Sequence, residues 1–300
     1  MNLGRWASPA KLNLCLHITG RYDNGYHALQ SAFVPITLCD TITIHRRGDQ
    51  RIERAGGLPD IAPEDDLAIR AARQLANASG GPAFGVTIEI DKQIPAGAGL
   101  GGGSSNAATV LVALNAVWRT GLGAAALRDL GLQLGADVPF FIDAEPAWVE
   151  GVGEQIAPIR VQNAEFLVIV PPVHVSTAAI FSDPKLTRNQ PLTKMSALSR
   201  SGNVAEMVAN ALNNCEAVVL SQVPEVAEVF DWLKEFGRPR MSGTGSAVFV
   251  VVDNAAVAAT ALERLPARWR GWHCGIRSGS RRLDDDRANL SVREVRDSGA

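Results

Sequence analysis

The chain has 300 residues, 46% of them hydrophobic and 20% charged, with a formal net charge of −2. That length holds one large domain or two ordinary ones, and the near-neutral balance excludes the strong basic bias of a general nucleic-acid binder. No apolar run reaches the ~18–20 residues that span a bilayer, and no signal or transit pattern precedes the first alternating segment, so a cytoplasmic protein without membrane partners is expected. Cys15, Cys39, Cys215 and Cys274 are scattered without a C-x-x-C pair, which argues for reduced thiols rather than a zinc site or a disulfide framework.

Residues 10–18 alternate: Leu12, Leu14, Leu16 and Ile18 share one face, and Lys11, Asn13, Cys15 and His17 share the other. That pattern predicts a half-buried strand. Only five of the 29 basic residues are lysines, so Lys11 in an apolar strand is either an edge-blocking lysine or a working one. A turn is predicted from Gly20 to Gly25, and Tyr26-His27 follows it. That pair suits stacking on and hydrogen bonding to a heteroaromatic ring, or serves as a structural aromatic at a strand start. Residues 33–38 and 40–45 read as two strands, 64–79 as an amphipathic helix and 86–90 as a strand.

Next comes Pro95-Ala96-Gly97-Ala98-Gly99-Leu100-Gly101-Gly102-Gly103-Ser104-Ser105, set between that strand and a helix predicted over 107–118. Glycines let backbone N–H groups approach a phosphate, and a helix start adds unpaired donors and a favourable dipole. The expected ligand is a polyphosphate, most simply a nucleotide. The loop is not a Walker A motif, because no Gly-Lys dipeptide occurs in the chain. Its lone letter match to the dinucleotide fingerprint is weak.

A helix over 124–134 ends at Gly135, and Asp137 follows before an apolar run. Asp137 is either an N-cap or a general base held among apolar neighbours; the sequence leaves both open. Residues 148–151 begin a strand or turn. The pattern changes near residue 160. A strand at 165–170, a loop with short helical pieces over 182–202, and helices at 203–213 and 224–236 follow. Met241-Ser-Gly-Thr-Gly-Ser246 is a second glycine–hydroxyl loop, either closing on a ligand or making an ordinary turn. A strand at 246–252, a helix at 254–264 and a strand near 271–277 complete an α+β pattern. The expected division is a lobe over 1–159, a lobe over 160–285 and a polar tail over 286–300.

Together, Pro9-Ala-Lys-Leu-Asn13, the Pro95–Ser105 loop and Ser242–Ser246 resemble the three motifs of the GHMP kinases, small-molecule kinases named for galactose, homoserine, mevalonate and phosphomevalonate. Gly25-Tyr-His27, Leu134-Gly-Ala-Asp-Val-Pro139 and Gly151-Val-Gly-Glu154 are similar to the branch whose alcohol is cytidine diphosphate methylerythritol. The resemblance implies a two-lobed α+β fold, with an N-terminal lobe like ribosomal protein S5 domain 2, a ferredoxin-like C-terminal lobe and the site between them. It implies ATP, as Mg-ATP, along Pro95–Ser105. Asp137 takes the proton of the acceptor hydroxyl and Lys11 steadies the developing charge. Asn13 orients the substrate, Tyr26 stacks on the cytosine and His27 reads its polar edge. Phe181, in Ile180-Phe-Ser-Asp-Pro184, lies across the base. Gly243 and Gly245 line the methylerythritol end or close the site.

Metal ligands are not assigned, although Ser104 or Ser105 offers an oxygen. One departure stands out: relatives commonly read Glu-Asp-Asn-Leu where this chain has Glu64-Asp-Asp66-Leu67, and an aspartate cannot donate as an amide does. The rival readings are a kinase for another alcohol, such as mevalonate or a sugar, and a nucleotide-binding relative without turnover.

Overall fold

The computed structural model describes residues 1–23, 25–56, 62, 64–194, 202–279 and 281–283; the expected tail over 286–300 and the end of the 182–202 loop lie outside the described residues. Two long strands carry the first half. β1 (Asn2–Arg21) and β2 (His27–Arg46) pair antiparallel along their length. The two strands expected at 33–38 and 40–45 are therefore one. On the other edge of β2, β4 (Val86–Asp91) pairs with Thr41–Arg46, and β5 (Ala147–Gly151) pairs with Leu29–Phe33. β3 (Ile52–Ala55) runs parallel to β4, and β6 (Gln155–Pro158) extends the sheet beyond β5. The middle of this edge of β2 meets residues 276 and 277: Ile36 bridges to Ile276, and Arg277 N donates to Pro35 O at 2.9 Å.

β1 is not half-buried. Lys11, Asn13, Cys15 and His17 are 3%, 3%, 2% and 4% exposed. The reason is tertiary: the sheet is covered on both faces. One face packs against α1 (Leu67–Ala78), α2 (Gly102–Trp118) and α4 (Val138–Asp143), where Trp6, Ile42, Ile44, Ile88, Leu75, Leu111 and Phe140 form a continuous core. α3 (Ala124–Leu132) packs beside α4. α2 is apolar nearly all round, as suits a buried helix. It begins at Gly102, five residues before the expected start. Gly101 holds the left-handed conformation at its N-cap (φ 72°), so the glycine–serine run forms its first turn.

The second half contains β7 (Glu165–Val170), α5 (Thr177–Ser182), α6 (Val204–Asn210), α7 (Glu216–Gln222), α8 (Pro224–Leu233), β8 (Arg240–Met241), β9 (Val248–Val252), α9 (Ala255–Glu263) and β10 (Arg270–Gly275). Its antiparallel sheet has the order β10-β7-β9-β8. Counted along the chain, that is fourth, first, third, second, the β-α-β-β-α-β arrangement of a ferredoxin-like lobe. The two sheets share one core. Leu12, Leu14, Val34, Ile36 and Trp148 pack with Phe166, Phe249 and Trp272. The four cysteines are free, and burial pushes the thiols of Cys15, Cys215 and Cys274 up to about 12. No described helix is long and apolar enough to cross a membrane.

Candidate active site

Lys11 and Asn13 reach the site because β1 is irregular there. Register shifts fall between Pro9 and Lys11 and again between Asn13 and Cys15. Such bulges re-aim side chains out of simple alternation. Lys11 Nζ donates to Asn13 Oδ1, lies 4.8 Å from the centre of the Phe33 ring and stands 3.9 Å from Asp137 Oδ2. The lysine side chain is 4% exposed and the aspartate 35%. Burial pulls the Lys11 pKa below its ordinary value, and the Asp137 charge opposes the shift. Asp137 occupies the N-cap position of α4 but makes no capping hydrogen bond. Its carboxylate is thus directed to the lysine and the cavity.

Asn13 is itself held. Its Nδ2 donates to Ser31 Oγ at 2.9 Å, and its backbone N–H donates to Ser242 Oγ at 3.2 Å. Ser242 Oγ in turn donates to Gly99 O at 3.0 Å, which ties the two glycine loops to each other. The loops lie back to back. A Cβ on Gly99 would sit 2.1 Å from Ser242 O, and one on Gly243 would sit 3.3 Å from Asn13 Oδ1 and 3.5 Å from Lys11 Nζ. Both glycines have positive φ, which favours glycine at each, and at Gly99 the space demands it as well. Lys11 N donates to Leu100 O and Ala247 N to Ala98 O, each at 3.0 Å.

The start of the phosphate loop is fixed by Asp40, a fully buried carboxylate on β2. Its Oδ1 accepts from Gln93 N and Ile94 N, each at 2.8 Å, and its Oδ2 pairs with Lys92 Nζ at 2.5 Å. The two serines at the other end of the loop part company. Ser104 lines the cavity, whereas Ser105 is buried with its Oγ 2.8 Å from Ser8 Oγ. Ala98 and Leu100 are 2% and 1% exposed, so their side chains belong to the core. Gly97 is closely approached by His174.

A cavity of about 690 Å³ joins these parts. Lys11, Asn13, Asp137, Gly99, Gly101, Ser104 and Gly243 line one region; Tyr26, His27 and Phe181 line another. Pro95, Ala96, Gly97, Gly102, Gly103 and Gly245 are not among its lining residues; Gly245 instead abuts Met241 Sδ. Tyr26 is 63% exposed at the rim. His27 and Phe181 stack on each other with ring centres 5.0 Å apart and planes at 22°. Rings that close form one aromatic wall, with no room for a third ring between them.

Asp66 stands outside this cavity. It caps α1 by accepting from Ala68 N at 2.8 Å, and it pairs with Arg54 Nη1 at 2.8 Å. Its charge, where relatives commonly carry an amide, is thus matched within the fold. Sequence reasoning missed Asp40, although a lone carboxylate inside the apolar β2 pattern was the available signal. It also missed Thr177, whose hydroxyl meets that of Thr244, from the second glycine–hydroxyl loop, at 2.8 Å in the cavity wall. Among the described residues, no three His, Cys, Asp or Glu side chains cluster as a metal site. Asp137 and Ser104 are oxygen donors that the cavity offers.

Two family models match the chain: GHMP kinases N terminal domain over residues 66–144, and GHMP kinases C terminal over residues 195–271. A Halorhodospira halophila protein named 4-diphosphocytidyl-2-C-methyl-D-erythritol kinase is 50% identical over 272 residues, covering 89% of this chain and 91% of its own. A protein of the same name from Xanthomonas axonopodis pv. citri is 48% identical over 280 residues, covering 93% and 92%. Among solved structures, a crystal structure of 4-(cytidine 5'-diphospho)-2C-methyl-D-erythritol kinase superposes with a TM-score of 0.79 at 32% identity, over 92% of this chain and 100% of that one. The mevalonate kinase of Methanococcus jannaschii shares the fold, with a TM-score of 0.67 at 16% identity over 91% of this chain and 98% of its own.

Proposed function

The chain belongs to the GHMP kinase family, and we propose that it transfers the γ-phosphoryl group of ATP to the C2 hydroxyl of 4-diphosphocytidyl-2-C-methyl-D-erythritol. The products are the 2-phosphate and ADP, in the non-mevalonate route to isoprenoid precursors. The observation that carries this reading is the Lys11–Asp137 pair, 3.9 Å apart, facing a cavity lined by residues of both glycine loops.

A tertiary alcohol is a weak nucleophile at neutral pH. Asp137 accepts its proton as the oxygen attacks. Lys11 places a buried positive charge beside the attacking oxygen and the transferred phosphoryl, where low dielectric strengthens it. Positioning and electrostatics supply most of the catalysis in phosphoryl transfer. Asn13 holds the Lys11 ammonium in place through its Oδ1 and, with it, orients the acceptor. Gly99, Gly101 and Ser104, around the start of α2, face the ATP phosphates. A bound Mg²⁺ neutralises charge on those phosphates; Ser104 Oγ and Asp137 are the side chains that would help hold it, with ATP oxygens and water as the other ligands. Tyr26 at the rim and the His27–Phe181 wall take the cytosine ring. Gly243 lines the methylerythritol end. Gly245, packed against Met241, shapes the second loop rather than touching substrate.

The same proposal divides the chain into lobes at 1–159 and 160–285, supported by the change of sheet between Pro158 and Glu165. Two soluble nucleotide substrates support a cytoplasmic location. A mevalonate or sugar kinase has no use for an aromatic wall at one end of its site, and a non-catalytic relative has no need of the lysine–aspartate pair. The test is the product of a reaction with Mg·ATP, analysed by phosphorus NMR. A phosphomonoester on C2 beside an intact diphosphate is expected. A phosphoryl group on another hydroxyl, or none, overturns the reading.

A further inference from the structure

Residues 183–193, which follow α5, run beside the aromatic end of the cavity as a strap. Gln190 N donates to Ile18 O at 2.9 Å, and Thr193 N donates to Gln30 Oε1 at 2.8 Å, so β1 and β2 both anchor it. Arg188 projects from this strap to the edge of the His27 ring and to the backbone at the end of α5. Its Nε donates to His27 Nε2 at 3.2 Å. Its Nη2 donates to the backbone oxygens of Phe181 at 2.7 Å and Asp183 at 3.0 Å, and its Nη1 reaches Leu186 O at 3.3 Å.

We propose that Arg188 is a positioning residue for nucleobase binding: its guanidinium fixes the His27 imidazole as the Nδ1–H tautomer and ties it to the backbone beneath Phe181, building the wall on which the base rests. The inference rests on reading the Tyr26–His27–Phe181 end of the cavity as the nucleobase end.

The chemistry follows from the donor inventory. A guanidinium has five N–H donors and no lone pair to offer. The ring nitrogen facing it must therefore accept, so Nε2 carries no proton and the neutral ring keeps its proton on Nδ1. Protonating His27 would set two donors against each other. Burial first, then the charges of Arg188 and of Arg21 across the turn, lower the His27 pKa in the same sense. The fork geometry matters as much as the charge. One guanidinium spans two chain segments, the start of β2 and the end of α5. A lysine offers a point charge and cannot bridge both in one plane.

Nitrogen-15 NMR of the free protein reads the His27 tautomer directly, and calorimetry with CDP reads the base site without turnover. The wild type is expected to show a neutral His27 protonated on Nδ1. Arg188→Met is expected to lose that preference and to bind CDP roughly tenfold more weakly or worse, the loss of a charged hydrogen bond, with ATP binding within about twofold. Arg188→Lys is expected to recover only part of the CDP affinity. A wild-type His27 protonated on Nε2 overturns the proposal, and that result needs no variant to fold. An Arg188→Met protein that binds CDP as the wild type does also overturns it. A wild type that binds no CDP removes the nucleobase reading and this proposal with it.

Discussion

Lys11 and Asp137 were legible in the sequence only as candidates, each with a structural reading beside it; that they stand 3.9 Å apart is a matter of the fold. Ser105 and Asp66 were not legible, because each is defined by a partner far along the chain: Ser8 lies 97 residues from Ser105, and Arg54 lies 12 residues from Asp66. A serine facing a phosphate and a serine turned into the core look alike until the partner is known. The account predicts that Asp137→Asn lowers kcat by about 10²–10⁴-fold, the usual contribution of a general base, while ATP binding changes little. Comparable ATP affinity with near-normal kcat would remove Asp137 from that role. Lys11 gives a pH prediction. Its native pKa lies below the 10.5 of an ordinary lysine, so above the native value the folded protein has released a proton that the unfolded chain still binds. Between the native value and 10.5, stability contributed by this group therefore rises with pH, while turnover falls as the catalytic charge is lost. A pH–rate profile recorded beside urea midpoints separates the two. An alkaline loss of activity that tracks unfolding would contradict the assignment.

The longer elements were readable, with one recurrent error of extent. Periodicity marked β1 and α1, and a compact apolar run marked β7, but the sequence divided β2 at Cys39, beside the buried carboxylate of Asp40. Asp40 does not end the strand because two backbone N–H groups and Lys92 satisfy it. The short pieces β3, β6, β8 and α7 were missed, since four to seven residues carry too little pattern, and β8 is shorter still. The site depends on how the loops between elements are held, which leads to two predictions. Asp40→Ala leaves Lys92 and two N–H groups without their acceptor, so it should cost about 3 kcal/mol or more in urea unfolding and raise the ATP KM. A change under 1 kcal/mol would show that the clamp is dispensable. Gly99→Ala meets Ser242 O at 2.1 Å with φ at +75°, so the two loops must separate. ATP affinity should fall about tenfold or more, a cost in the range of backbone strain plus lost contacts. Unchanged affinity would mean that the back-to-back packing does not shape the nucleotide site.

At the scale of the molecule, the sequence marked a change near residue 160 and two differently patterned halves. It did not show that the halves share a core, because the packing of Trp148 against Trp272 and Phe249 depends on contacts across both sheets. One shared core predicts one cooperative unfolding transition. Trp272 is 1% exposed, and Trp272→Ala should destabilise both halves together by about 3–5 kcal/mol. Two separable transitions would contradict a shared core. That core also sets the site, since β1 brings Lys11 and Asn13 from the first sheet and the Ser242–Ser246 loop arrives from the second. The central claim is a kinase matched to a cytidine-bearing alcohol. It is tested most directly by ADP release from Mg·ATP with 4-diphosphocytidyl-2-C-methyl-D-erythritol, mevalonate and galactose offered separately. Turnover with the cytidyl substrate alone is the predicted result; turnover with mevalonate or galactose in its place, or silence with all three, would contradict it.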